Sequence, residues 1–85
     1  MYKSYFFYTN PIRFTRNTNG DLFVTGEDGI TSQLSQTINI CFVGNNYVVE
    51  DRITGCVIDE EGNVLALDVG DYSRIPTSNI KTIMW

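Results

Sequence analysis

The chain reads as all-β: a small antiparallel barrel of about six or seven short strands in 85 residues. Apolar and polar residues alternate with a period of two in stretch after stretch, and no helical period is sustained. Turn-forming clusters such as Thr18-Asn19-Gly20-Asp21, Gly44-Asn45-Asn46 and Glu60-Glu61-Gly62-Asn63 separate those stretches. No segment between them has the length and pattern of a crossover helix, so the strands must pair antiparallel. Closure into a barrel would remove sheet edges that so short a chain has little material to cover. An OB-like or simple open antiparallel sheet is the architectural alternative. The length allows one hydrophobic core, and residues 1–85 are read as a single domain.

The elements follow in order. Ile12–Arg16 sets Ile12 and Phe14 on one face and Arg13 and Thr15 on the other. Asn19-Gly20 then marks a hairpin, because both residues tolerate positive φ. The chain returns as Asp21–Thr25, with Leu22 and Val24 sharing a face. Asp28–Gln36 is the one helix candidate, with Ile30 and Leu34 four apart, and is short enough to be a single turn or a loop. In Thr37–Asp59, Ile38, Ile40 and Phe42 alternate with Asn39 and Cys41 up to the Gly44 turn. Tyr47–Ile53 resumes the extended pattern, Thr54-Gly55 marks a bulge or bend, and Cys56–Ile58 continues beyond it. A hairpin through Glu60–Asn63 returns as Val64–Val69, Gly70-Asp71 opens a loop, and Ile80–Trp85 is the last strand. The hairpins at Gly20 and Gly62 share a turn, but the sequence carries no obvious internal repeat.

The stretch Tyr72-Ser-Arg-Ile75-Pro76-Thr77-Ser78-Asn79-Ile80 resembles the segment of SH3-type barrels in which a short 3₁₀ turn joins the last two strands. That family's Ile/Val-Pro-Ser-Asn-Tyr-Val is matched at Ile75, Pro76, Ser78, Asn79 and Ile80, with Thr77 inserted and the tyrosine missing. The Ala-Leu-Tyr-Asp-Tyr run of the family is absent, as is its tryptophan pair, since Trp85 is the one tryptophan. The resemblance therefore implies a barrel shape and leaves proline-peptide recognition without its usual residues.

Composition narrows the function. An apolar content of 42% with 13% aromatics describes a folded chain rather than a disordered one. No apolar run approaches the ~20 residues of a spanning helix, and Met1–Pro11 lacks a secretory signal's apolar stretch, so a cytoplasmic location is expected. Cys41 and Cys56, each in an apolar stretch, read as small buried hydrophobes, or as a disulfide if the protein is secreted. With no histidine and two thiols, no metal or cofactor is expected. The missing histidine and the placement of most acids in turns also argue against an enzyme. Asp59–Asn63 does not fit a calcium loop, which needs its glycine sixth and a glutamate twelfth.

Charge is uneven beneath a net −4. Residues 1–20 hold Lys3, Arg13 and Arg16 without an acid, whereas residues 50–71 hold Glu50, Asp51, Asp59, Glu60, Glu61, Asp68 and Asp71 against Arg52. The acidic stretch would suit a partner protein with a basic surface, unless it is simply solvated turn surface. In Tyr2–Tyr8, extended backbone puts Tyr2, Phe6 and Tyr8 on one face, and Tyr5 and Phe7 on the other. An exposed second face, with Tyr5, Phe7, Arg13 and Arg16, would suit a single-stranded nucleic acid. Otherwise the strand is covered on both faces, or Tyr5 packs under the Asp28–Gln36 loop. The acidic balance argues against duplex binding. The expected function is a non-catalytic interaction module that occludes a basic surface of another protein. Phages and mobile elements block host machinery with small acidic chains of this kind.

Overall fold

Ten short strands, paired antiparallel throughout, build the computed structural model, which describes residues 7–35, 39–44 and 47–85. The strands are β1 (Phe7–Thr9), β2 (Arg13–Arg16), β3 (Leu22–Thr25), β4 (Thr31–Gln33), β5 (Asn39–Val43), β6 (Tyr47–Asp51), β7 (Ile53–Ile58), β8 (Val64–Val69), β9 (Tyr72–Pro76) and β10 (Ile80–Met84). A 3₁₀ turn, Thr77–Asn79, joins β9 to β10. The protein is all-β, as its alternation predicts, but with more and shorter strands than expected. They form three small sheets, β1-β10-β5-β6, β2-β3-β4 and β7-β8-β9, rather than one continuous ladder. All three contribute to one core: Phe14, Leu22 and Val24 from the second, Cys41, Val43, Val49, Ile80 and Ile83 from the first, Val64, Leu67, Val69 and Ile75 from the third.

Three hairpins turn by the same device. In the β2–β3, β3–β4 and β7–β8 connections the fourth residue of a five-residue loop is a glycine at positive φ, namely Gly20 (+89°), Gly29 (+82°) and Gly62 (+84°). Each glycine N–H donates to the carbonyl three residues back: Gly20 to Asn17, Gly29 to Gly26 and Gly62 to Asp59. This is a type I turn closed by a glycine bulge, so the hairpin forms where Asn19-Gly20 marks it, with positive φ at Gly20 and not at Asn19. The side chain of the first residue anchors two of these turns. Asn17 Oδ1 accepts from the N–H of Asn19 and Asp21, as Asp59 Oδ1 does from Glu61 and Asn63.

Asp28–Gln36 is not helical where it is described: Gly26–Ile30 is the second of those turns, and Thr31–Gln33 is β4. Asp28 Oδ1 accepts from the Ile30 N–H, a local bond that competes with a helix start. Gln36 lies outside the described residues. Tyr47–Ile53 is also not one strand. The chain leaves the first sheet at Arg52, so β6 and β7 belong to different sheets. The register then shifts between Ile53 and Gly55, where Thr54-Gly55 predicted a bulge. Gly70-Asp71 forms a tight turn into β9 rather than a loop, with Gly70 at φ +59°.

The strand order repeats once along the chain with twofold symmetry. Each half of the chain runs as an outer strand, a three-stranded meander and an inner strand: β1 through β5, then β6 through β10. Exchanging the halves leaves the order β1-β10-β5-β6 unchanged apart from its direction. At the centre Cys41 pairs with Ile83, both fully buried. The outer strand of each half pairs with the inner strand of the other, so neither half completes its own sheet. The two meanders dock where Arg16 N–H donates to the Gly62 carbonyl at 2.8 Å and Thr15 bridges Asn63.

Candidate partner-binding surface

Strand alternation turns the four-stranded sheet into two unlike faces. Cys41, Val43, Val49 and Ile83 face the core. Along the opposite face, cross-strand neighbours run Thr9, Thr82, Phe42 and Val48 across β1, β10, β5 and β6. Phe42 is 38% and Val48 51% exposed. They sit directly opposite one another, so their apolar surfaces adjoin. Half-buried Met84 lies two residues beyond Thr82, and exposed Glu50 lies two beyond Val48 on the same face. Reading Cys41 as buried, which the structure bears out, puts Phe42 on the opposite face, but the apolar character of Phe42 and Val48 hides that this face is exposed. Sequence reasoning thus missed Phe42 and Val48 as surface residues.

The acidic residues do not gather in one place. Asp51, at the end of β6, sits against Gly70, whose N–H donates to the Arg52 carbonyl at 2.9 Å. This places Asp51 and Glu50 at the end of the third sheet that carries Asp71. Asp68 is nearby and half-buried: Oδ1 accepts the Arg74 N–H at 2.7 Å, and Oδ2 fills the space left by the missing side chain of Gly55. Asp59, Glu60 and Glu61 occupy the opposite end, beyond the six residues of β8, or about 17 Å of strand. Asp59 is structural. Its carboxyl is held below the ordinary value by the Asn63 side-chain amide, then by the Asn63 N–H. A depressed carboxylate stabilises the fold above its unfolded pKa, and that contribution is lost as pH falls through the folded value.

The aromatic and basic alternative is dispersed. Tyr5 lies outside the described residues, and of Phe7 the backbone alone is described, paired with Met84. Tyr8 turns inward, stacking on Trp85 with ring centroids 5.9 Å apart and its hydroxyl 2.7 Å from Ser32 Oγ. Gly26 makes this possible, since a Cβ there would stand 2.8 Å from the Tyr8 ring. The loop that sequence reasoning offered as cover for Tyr5 therefore covers Tyr8. Arg13 and Arg16, three apart on β2, point to opposite faces: Arg13 is exposed, while Arg16 lies half-buried over Gly20.

Both cysteines are free thiols, Cys41 fully buried and Cys56 half-buried. Burial pushes the Cys41 thiol up to about 11. A thiol reagent at pH 8 is expected to label Cys56 well before Cys41, because the thiolate is the reactive form. Equal rates in the native protein, read by mass spectrometry, would contradict this placement. Since the folded state holds the Cys41 proton more tightly than the unfolded chain, stability also falls as pH rises from about 9 toward 11.

No described helix is long and apolar enough to cross a membrane. Against family models, curated proteins and solved structures alike, the chain has no match.

Proposed function

We propose that the protein is a non-catalytic interaction module that binds another protein through the outer face of its four-stranded sheet. The observation that carries this reading is the adjoining exposed pair Phe42 and Val48, flanked on the same face by Glu50. Isolated exposed apolar residues are ordinary, but adjoining ones beside a polar rim mark interaction surfaces. Glu50 gives the rim an acidic side, and the complementary partner is an apolar patch bordered by Lys or Arg. Binding there would cover the partner's basic surface, in the way mobile-element inhibitors occlude host proteins, and a cytoplasmic setting suits it. The SH3-like reading keeps one support, the 3₁₀ turn Thr77–Asn79 between the last two strands.

The test compares proteins retained from source-cell extract by the immobilised chain, by Phe42→Ser/Val48→Ser, by Glu50→Lys and by an Ile30→Ser control. A specific partner should be lost from the double variant, and Glu50→Lys should bind it more slowly, because rim charges steer encounter. Ile30→Ser should retain it. Retention by the double variant at wild-type level, with its fold intact by circular dichroism, would overturn the proposal.

A further inference from the structure

A groove of about 630 Å³ opens where the three sheets meet, at the corner by which the chain passes from β1 into β2. Asn10, in the left-handed region at φ +51°, donates its N–H to the Lys81 carbonyl and turns the chain there. The floor is apolar, from Phe14, Val64 and Ile80, each 5% exposed or less. Ile12 stands at the opening with 62% of its surface exposed. Arg13 and Lys81, both exposed, also line it, and no carboxylate among the described residues does. Two of the chain's six cations thus border one groove in a protein with net charge −4.

From this geometry we infer that the groove is a second binding site, distinct from the outer sheet face, for an acidic peptide segment with an apolar side chain between its carboxylates. The apolar floor receives the side chain, and Arg13 and Lys81 meet the carboxylates. The volume lies within the ordinary range of ligand sites. A peptide fits better than a single-stranded nucleic acid, because stacked bases need an open aromatic face. Phe14, the one aromatic among the described residues that line the groove, is only 3% exposed. The duplicated topology sharpens the assignment. Gly55 lies 42 residues after Arg13, as Gly62 does after Gly20. A smaller cavity of about 200 Å³ occurs there, lined by Ile53, Gly55 and Cys56 with Arg16 as its one cation among the described residues. Gly55 stands in the place of Arg13 with the Asp68 carboxylate against it. The two corners differ in their lining, and the first carries the cationic pair.

The test titrates the full chain, followed by amide NMR, with the peptide Ser-Glu-Leu-Glu-Ser, its glutamine counterpart and a short oligothymidylate. The acidic peptide should shift the amides of Ile12, Arg13, Val64 and Lys81, and bind about tenfold more tightly than the glutamine peptide. Arg13→Gln/Lys81→Gln should lose that preference, and both positions are exposed, so the fold should survive. Equal binding of the two peptides would overturn the inference, as would an unchanged preference in the folded double variant. Tighter binding of oligothymidylate at the same amides would replace the ligand class and equally overturn it.

Discussion

Replacing Gly62 with valine is expected to destabilise the protein by about 3 kcal/mol, near the upper end of ordinary point mutations. Two costs combine. A β-branched residue at φ +84° is strained, by about 1–2 kcal/mol for the left-handed region. A Cβ there would also stand 2.9 Å from the Arg16 carbonyl oxygen, a backbone atom held in the contact that docks one meander on the other. Gly29 separates the two terms. It has nearly the same φ and the same turn, but a Cβ at that position would meet nothing within 4 Å. Gly29→Val should therefore cost only the conformational part. Equal denaturation midpoints for the two variants, at unchanged denaturant slope, would remove the meander contact from the account.

Leu67→Ala is expected to cost about 3–4 kcal/mol, through lost transfer energy and an incompletely collapsed cavity. Leu67 is fully buried and central on β8, paired with Cys56 on β7 and Ile75 on β9. Domains of this size have total stabilities near the low end of about 5–15 kcal/mol, so much of the folded population's margin would go. Leu65→Ala, two residues away but half exposed, should change stability by less than about 1 kcal/mol. Similar midpoints for the two would contradict the inward assignment of Leu67.

The all-β class was legible because alternation and glycine turns are local signals. The β2–β3 hairpin, the bulge at Thr54-Gly55 and the hairpin at Gly62 all form where the residues indicate. What local pattern could not supply was sheet membership. Tyr47–Ile53 looks continuous, yet it divides at Arg52 because tertiary packing sends its two parts to different sheets. The twofold repeat of topology was hidden for a related reason. The turn Asn17-Thr-Asn-Gly20-Asp21 reappears as Asp59-Glu-Glu-Gly62-Asn63 with amide and carboxylate exchanged, so the geometry is kept while the residues are not. The outer sheet face was illegible because β5 and β6 carry apolar residues on both sides: even with Cys41 read as buried, Phe42 and Val48 look like residues of a strand covered twice. Acid count likewise suggested one charged surface where β8 keeps two groups apart.

The central claim, that the outer face of the four-stranded sheet is the partner-binding surface, is tested most directly by methyl NMR of the labelled chain titrated with its isolated partner. The Val48 methyls should shift or broaden on binding, with a smaller response at Met84. Leu65, Ile58 and Ile30, exposed elsewhere, should stay in place. A response concentrated at Leu65 and Ile58, with Val48 unmoved, would contradict the account and transfer the interface to the third sheet.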